Sequence, residues 1–240
     1  MEGSLMFESL DAQDLRFIAH ATLVTLQICG LAVLLGGTLG LILGIFATGR
    51  VRVLRWLSTV WVSAIRGVPV LLIIFFVYFG VPLLSPGSSV PEYWAAVIAL
   101  SVFASAYISE IVRGSIQAIP RGQFEAAEAL GLPYLQLLRW VILPQATRII
   151  IPPGIGFLVI LIKDSSLVAV IGLIELTRSG NIVASQTGQP ITSYLVVGAV
   201  YFVICYTLSL AGRRYERRLT VRASTPNVID ALPLAKGATP

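Results

Sequence analysis

Four long apolar stretches divide the chain, and each is near or above the roughly 20 residues that cross a bilayer core. They cover residues 17–48, 67–84, 94–112 and 193–211. A fifth stretch, residues 149–174, is apolar but is interrupted by prolines, glycines and charges. This pattern predicts an all-α integral membrane protein with about five transmembrane helices.

The apolar pattern also sets the expected organisation of the chain. Residues 1–16 are acidic and form an N-terminal segment, and the first apolar stretch is too long for the core of a signal peptide, so it is interpreted as a retained span. Residues 17–218 form one transmembrane domain. Residues 219–240 are polar and contain three prolines, so this end is predicted to be a disordered tail.

The composition agrees with a membrane protein. Hydrophobic residues make up 56% of the chain and charged residues 12%, with a mean hydropathy of +0.87. A soluble domain carries about 25% charged residues, so a soluble globular protein is disfavoured. Cys29, Cys205 and the lone His20 have no neighbours at metal-ligand spacing. The sequence therefore predicts neither a metal site nor a cofactor.

The distribution of arginine predicts the orientation, because arginine and lysine stay preferentially on the cytoplasmic side. With five spans, alternate connections collect most of the arginines, namely Arg50, Arg52, Arg55, Arg113, Arg121, Arg139, Arg148, Arg213, Arg214, Arg217, Arg218 and Arg222. The acidic N-terminus is then extracytoplasmic and the C-terminus is cytoplasmic. The net charge of +5 is explained by this topology, and no nucleic-acid partner is predicted.

Two segments, one directly after the first span and one inside it, have a simple physical interpretation. Residues 51–65 alternate arginine with apolar residues, which favours a helix on the inner membrane surface, with Arg66 at the cytoplasmic mouth of the second span. Gly36, Gly40 and Gly44 recur every four residues and mark a face that another helix can approach closely. A packing role is favoured over a direct role in transport.

The cytoplasmic connection that contains residues 120–133 is neither hydrophobic nor disordered in composition. Pro120 suits a helix start, and Gly131 and Pro133 suit its end, so a helix of two to three turns is predicted. Such a helix is too short to be stable alone, and its alanines leave the backbone approachable. It is either a docking element for a second protein or an ordinary surface helix.

The same segment resembles the cytoplasmic loop signature of binding-protein-dependent ABC importer permeases. The match consists of Glu125-Ala126-Ala127, then Gly131, then Val141 followed by Leu143-Pro144. The resemblance implies that these residues form and support the coupling helix that inserts into a separate ATPase subunit, with Val141 standing where the family usually has isoleucine.

The resemblance extends over residues 22–218 and is similar to the branch that imports polar amino acids of the histidine, glutamine and glutamate type. Four stretches carry it, at residues 66–69, 106–110, 163–167 and 171–178. It implies a type I importer permease fold in the bacterial inner membrane. It also implies an ATPase dimer, a second permease subunit that is identical or homologous, an extracytoplasmic binding protein and an amino acid substrate. The chain has no phosphate-binding loop of its own, so it is predicted not to be an enzyme.

The interrupted fifth stretch is the candidate translocation pathway. It cannot be one regular lipid-facing helix, because Lys163 and Asp164 lie near its middle. Transporters place substrate sites at such broken helices, so Lys163, Asp164, Ser165 and Ser166 are the predicted pathway residues. A buried ion pair or gate contact is the equal alternative. The family often has polar side chains where this chain has Gly156 and Phe157, which leaves the substrate open.

Arg66, Glu110 and Arg113 are predicted interface or gate residues. Glu110 and Arg113 lie at the cytoplasmic boundary of the third span, where a structural salt bridge is favoured over a role in transport. A stand-alone secondary transporter with Asp164 or Glu110 as its proton site is the main alternative function. A membrane-embedded enzyme is disfavoured, since the spans contain no paired histidines and no nucleophile with a base nearby.

Overall fold

The computed structural model describes residues 10–84 and 87–223, and these residues are helical apart from short connections. The elements in chain order are α1 (Ala12–Thr48), α2 (Arg52–Arg66), α3 (Val70–Leu84), α4 (Glu92–Gln117), α5 (Arg121–Ala129), α6 (Tyr134–Gln136), a π-helix (Leu137–Ile142), α7 (Leu143–Asp164), a 3-10 helix (Ser165–Ile171), α8 (Leu176–Thr187) and α9 (Pro190–Ala223).

Four continuous helical segments in the described ranges are long and apolar enough to cross a membrane. They are Ala12–Thr48, Glu92–Gln117, Tyr134–Ile171 and Pro190–Arg217. A fifth span is possible if α2 and α3 are counted together, although they meet at 98°. The prediction of about five transmembrane helices agrees with this architecture.

The bend between α2 and α3 follows from the sequence at the junction. Gly67 closes α2, and Pro69 precedes α3, where proline disfavours a helical conformation of the residue before it. α3 is apolar throughout and can enter the bilayer, whereas α2 has arginines on one side and apolar residues on the other. α2 thus has the amphipathic character of a helix that lies at a membrane surface, and α3 has the apolar character of a spanning helix.

The centre of the fold is the contact between α1 and α4. Gly36, Gly40 and Gly44 of α1 are buried against α4, and each lies close to the backbone carbonyl of a serine on that helix. The missing side chains on α1 allow the two backbones to approach closely, which gives van der Waals contact where lipid offers no hydrophobic driving force. The glycine face predicted from the sequence is therefore a packing face.

α7 crosses the proline-rich part of the fifth apolar stretch without a break. Pro152 and Pro153 lie inside a continuous α-helix that ends only at Asp164, where the backbone tightens into the 3-10 helix. The irregularity predicted for this stretch therefore lies after the two charges. Gly172 then adopts φ 98°, a left-handed conformation that glycine reaches without steric cost, and the chain turns toward α8.

The first and last helices each extend beyond the boundary that the sequence predicts for the transmembrane domain. α1 begins at Ala12 with Asp11 as its N-cap, inside the segment predicted as 1–16. α9 continues to Ala223, past residue 218 where the transmembrane domain was predicted to end. The remainder of the predicted acidic N-terminus and of the predicted tail, residues 1–9 and 224–240, lies outside the described residues.

Candidate functional site

The helix predicted between Pro120 and Gly131 is present as α5. Pro120 is its N-cap, and Gly131 follows its C-terminal end with φ 70°. The Gly131 amide donates to the Glu128 carbonyl at 2.9 Å, and the Leu132 amide donates to the Ala127 carbonyl at 3.1 Å. A left-handed residue at this place satisfies carbonyls that the helix end leaves free, which explains why the sequence has glycine there.

One face of α5 is packed and the other is open. Ala127 is buried, and Phe124 is half-buried against the same apolar cluster, which includes Ile116, Ile119 and Ile142. Glu125 and Ala126 are exposed on the other face. Leu130, directly after the helix, is 79% exposed, and Leu135 is 75% exposed. A cytoplasmic segment with two large exposed leucines beside alanine and glycine is suited to contact another protein.

Polar contacts hold α5 against the rest of the chain. The Gln145 side-chain amide, on α7, donates to Gln123 Oε1 at 3.1 Å and to the Val141 carbonyl at 2.8 Å. Arg50, in the link between α1 and α2, forms an ion pair with Glu128. Contacts from two directions and the buried side of α5 fix its position relative to the spans.

The remaining residues of the loop signature lie in the π-helix and at the start of α7, where they support the position of α5. Val141 lies in the π-helix, and Leu143 begins α7 and packs against the same apolar cluster. Pro144 is at the first turn of α7, directly after the π-helix. Leu143 and Pro144 therefore set the start of the span to which α5 is attached.

The predicted pathway residues lie at the junction between α7 and the 3-10 helix. Lys163 is exposed and Asp164 is half-buried, and among the described residues they form no salt bridge with each other or with another side chain. The Ser165 hydroxyl donates to the Ile162 carbonyl and the Ser166 hydroxyl to the Lys163 carbonyl, each at 2.7 Å. The two serines satisfy carbonyls at the break, and Ser165 is fully buried.

Lys163 continues an exposed stripe along α7. Pro153, Gly156 and Ile160 are also exposed and are spaced three to four residues apart, so they share one helix face. A Cβ placed on Gly156 would have no atom within 4 Å. This face of the span has open space beside it and ends in a charge.

The three predicted interface or gate residues lie close together at the cytoplasmic end of the fold. Glu110 and Arg113 form a salt bridge on α4, with the Arg113 Nε 3.1 Å from both carboxylate oxygens. Arg113 Nη1 also donates to Gln117 Oε1 at 2.7 Å. The Arg66 guanidinium lies 5.3 Å from the centroid of the Tyr107 ring. The structural salt bridge favoured from the sequence is therefore present.

Glu175, for which the sequence analysis predicts no role, is fully buried at the start of α8. Its carboxylate accepts from the Arg178 amide at 2.8 Å, from the Tyr201 hydroxyl at 3.1 Å and from the Thr25 hydroxyl at 3.5 Å. The Thr25 hydroxyl in turn accepts from the Leu176 amide at 3.0 Å. This network joins α1, α8 and α9. A lone carboxylate in a largely apolar stretch was the signal that could have drawn attention to it.

Phe157, which replaces a polar residue common in the resembled family, is part of an aromatic cluster. Its ring stacks on Tyr107 with centroids 5.4 Å apart, and Phe103 contacts both rings. Phe157 is buried, so this position fills the core between α4 and α7. The side chain packs inside the protomer and does not widen a polar pocket.

Comparison with known proteins gives a consistent result. The family described as "Binding-protein-dependent transport system inner membrane component" matches residues 36–221. The chain is similar to the arginine transport system permease protein ArtQ of Bacillus subtilis, with 36% identity over 85% of this chain and 92% of the relative. It is also similar to the probable glutamine ABC transporter permease protein GlnP of the same organism, with 39% identity over 87% and 96% of the two chains.

The fold is similar to a solved structure as well. A crystal structure of an amino acid ABC transporter with histidines matches with a TM-score of 0.79 and 32% sequence identity. The match covers 88% of this chain and 100% of the solved chain. The predicted type I importer permease fold is confirmed by this likeness together with the all-helical architecture.

Proposed function

The chain belongs to the family of binding-protein-dependent transport system inner membrane components, and we propose that it lines an amino acid pathway and couples it to an ATPase through α5. It is a permease subunit of an ABC importer in the inner membrane, as the sequence predicted. The ATPase of such a transport system is a separate subunit. The comparisons support this function and give no support to a stand-alone proton-coupled transporter.

The observation that carries the coupling proposal is the two-sided geometry of α5. Its buried side is anchored by Phe124 and Ala127, and its open side presents Glu125 and Ala126 next to exposed Leu130. An anchored helix with an open small-residue face fits into a groove of a partner as a rigid body. Glu125, Ala126, Ala127 and Gly131 are accordingly assigned to the ATPase contact, with Leu143 and Pro144 supporting it.

The same geometry suggests how motion is transmitted. α5 is joined through Gln123 and Gln145 to the first turns of α7, and α7 carries Lys163 and Asp164 at its other end. A displacement of α5 by the ATPase therefore moves α7 with it. Transport requires that the two orientations of the pathway make different contacts with the ATPase dimer, because a partner shifts an equilibrium only by its differential affinity.

The second permease subunit is assigned to the exposed stripe of α7. Pro153, Gly156, Ile160 and Lys163 have no cover within the described protomer. A charge within a span costs about 2.5 to 3.5 kcal/mol when it lies at the bilayer centre, unless it faces water or a partner. A pathway between two such stripes, closed by an identical or homologous permease, gives Lys163 and Asp164 an aqueous or polar surrounding.

The proposed substrate is a polar amino acid, delivered by an extracytoplasmic binding protein. The support is that ArtQ and GlnP are described as arginine and glutamine permeases and that the solved relative is an amino acid transporter. Adjacent cationic and anionic groups at Lys163 and Asp164 are chemically suited to the carboxylate and ammonium of an amino acid. Phe157 contributes no polar contact, so the side-chain preference is set elsewhere in the pathway.

The experiment that tests the coupling proposal is purification of the tagged chain from its native membrane in mild detergent, followed by mass spectrometry of the proteins that come with it. A stoichiometric ATPase is expected with the wild-type chain. Gly131→Asp should lose the ATPase, because aspartate tolerates the left-handed backbone better than most residues but adds bulk and charge to the contact.

Gly188 provides a matched control for this substitution. It also has φ 70°, ends a helix, and has open space where a Cβ would lie, but it follows α8 on the opposite side of the membrane. Gly188→Asp imposes the same backbone demand and should retain the ATPase. Loss of the ATPase in both variants, or in neither, would contradict the assignment of the docking site to α5.

A further inference from the structure

A cavity at the cytoplasmic end of the fold has no residue of α5 or α7 in its lining. It has a volume of about 480 Å³ and lies between α2, the end of α1 and the cytoplasmic half of α4. Arginines and hydroxyl groups dominate its lining. The residues that matter here are Arg55, Ser58, Arg66, Ser109, Glu110 and Arg113.

α2 turns its polar side toward this cavity and its apolar side outward. Arg55, Ser58 and Arg66 lie on the cavity side, at the spacing of one helix face. Trp56 and Leu57, on the outer side, are exposed by 64% and 49%. An outward apolar face with a tryptophan holds a helix in the interfacial region of a bilayer. The cavity is thereby placed at the depth of the lipid headgroups.

The cavity carries uncompensated positive charge. Arg113 is neutralised by Glu110, so this pair adds no net charge. Arg55 donates to the Gly49 carbonyl at 2.6 Å, and Arg66 lies over the Tyr107 ring. Neither guanidinium has a carboxylate within ion-pair distance among the residues the structure describes. Each guanidinium has five N–H donors, so donors remain for an anion.

Ser58 is an independent sign of a missing ligand. It lines the cavity, is fully buried, and its hydroxyl has no hydrogen-bond partner in the described part of the chain. Thr59, its neighbour on α2, instead donates to the Arg55 carbonyl at 2.9 Å. A buried hydroxyl without a partner loses the hydrogen bonds that it makes with water in the unfolded chain, which destabilises the folded state. An acceptor from outside the chain would remove this cost.

We propose that the cavity binds the phosphate group of an anionic phospholipid at the inner leaflet. Arg55 and Arg66 donate charge-assisted hydrogen bonds to the phosphate oxygens, and the Ser58 hydroxyl donates a further one. Basic sites between helices on the cytoplasmic side are suited to lipid headgroups. Free phosphate has the same oxygen chemistry, but the interfacial position of α2 favours the lipid. The proposal depends on the membrane orientation and not on the α5 contact.

The test is native mass spectrometry of the intact importer complex, delipidated in detergent and titrated with phosphatidylglycerol or phosphatidylcholine. The wild-type complex should bind one phosphatidylglycerol for each copy of this chain, with an affinity that phosphatidylcholine does not reach. Arg55→Gln/Arg66→Gln should weaken phosphatidylglycerol binding roughly 30-fold. This equals about 2 kcal/mol, at about 1 kcal/mol for each arginine near an anionic surface. Ser58→Ala should weaken it by a smaller factor.

Two further variants keep the test decisive. Arg214→Gln removes a cytoplasmic arginine of α9 that does not line the cavity and should leave the affinity unchanged. Arg55→Lys/Arg66→Lys keeps the charge and should retain most of the binding if the double glutamine variant is unstable. Wild-type affinity in the double glutamine variant overturns the proposal. A third arm with inorganic phosphate alone separates the sources, since phosphate that binds as tightly as phosphatidylglycerol overturns the lipid assignment. Retention of the ATPase is scored in the same spectra, so a failure of the coupling proposal is seen separately.

Discussion

The contact between α1 and α4 allows a quantitative prediction from one buried glycine and two control glycines. A Cβ built on Gly36 would lie 2.3 Å from the Ser101 carbonyl oxygen and 2.9 Å from the Ala104 Cβ. The carbonyl belongs to the backbone of α4 and cannot rotate away. Ordinary carbon to oxygen contacts are about 3.3 to 3.6 Å, so Gly36→Ala must separate the two helices locally by about 1 Å.

The cost of this separation can be estimated from packing. A gap of about 0.5 to 1 Å loses a quarter to a half of the dispersion energy of the atoms that face it. Overpacked core substitutions cost about 1 to 3 kcal/mol, and a clash with backbone belongs in the upper part of this range. At about 2 to 4 °C for each kcal/mol, a loss of about 2 to 3 kcal/mol lowers the midpoint of thermal unfolding by about 4 to 12 °C.

Gly30 and Gly37 on the same helix are matched controls. A Cβ on Gly30 would have no atom within 4 Å, and a Cβ on Gly37 would meet only the Ile108 Cδ1, at 3.5 Å. Alanine is a better helix former than glycine by about 0.8 to 1 kcal/mol, so Gly30→Ala should leave the midpoint unchanged or raise it. Gly37→Ala should be close to wild type.

The assay is the fraction of monodisperse protein that remains after heating in detergent, measured by size-exclusion chromatography. Each of the three variants adds one methyl group to the wild-type chain. The comparison of the four proteins therefore isolates the contact with α4. Equal midpoints for Gly36→Ala and Gly30→Ala would show that the close approach of the two helices does not support the fold.

Three further outcomes are expected. Glu175→Ala should destabilise the protein by about 2 to 4 kcal/mol in the same heating assay, since the Arg178 amide and the Tyr201 hydroxyl each lose a buried acceptor. Glu175→Gln keeps an acceptor oxygen and should lose less, and equal loss in both variants would contradict the hydrogen-bond explanation. Asp164→Asn should reduce uptake of the transported amino acid in proteoliposomes while the ATPase still copurifies, and normal uptake of every amino acid tried would exclude Asp164 from the pathway. Leu130→Ser should weaken ATPase copurification without lowering the unfolding midpoint, because Leu130 is 79% exposed; unchanged copurification would remove Leu130 from the docking surface.

The elements that sequence reasoning predicted are those whose signals are local. The ends of α5 follow from Pro120 and Gly131, and the packing face of α1 follows from the glycine repeat, because a cap or a missing side chain acts on its own backbone. The spans follow from apolar length alone. These features need no knowledge of which helices become neighbours.

The features that were missed depend on tertiary contacts. Glu175 reaches its partners on α1 and α9 across 150 and 26 residues of sequence, and no spacing rule connects such positions. Phe157 raised a question about the pathway lining, but its burial against Phe103 and Tyr107 is decided by the way α7 packs on α4. The hydrophobic periodicity of the sequence likewise gives no indication of the π-helix at Leu137–Ile142.

The break in α7 lies at a different position from the one that its prolines suggest. Prolines are tolerated inside a span when neighbouring groups and small backbone adjustments satisfy the freed carbonyls, and α7 passes through Pro152 and Pro153 as one helix. The helix gives way only after Asp164, where Ser165 and Ser166 take up the carbonyls of the last turn. The two charges thus lie on the final turn of a rigid helix whose first turn is tied to α5. If a partner displaces α5, this connection would move Lys163 and Asp164 with it, whereas a helix broken at its prolines would absorb the displacement.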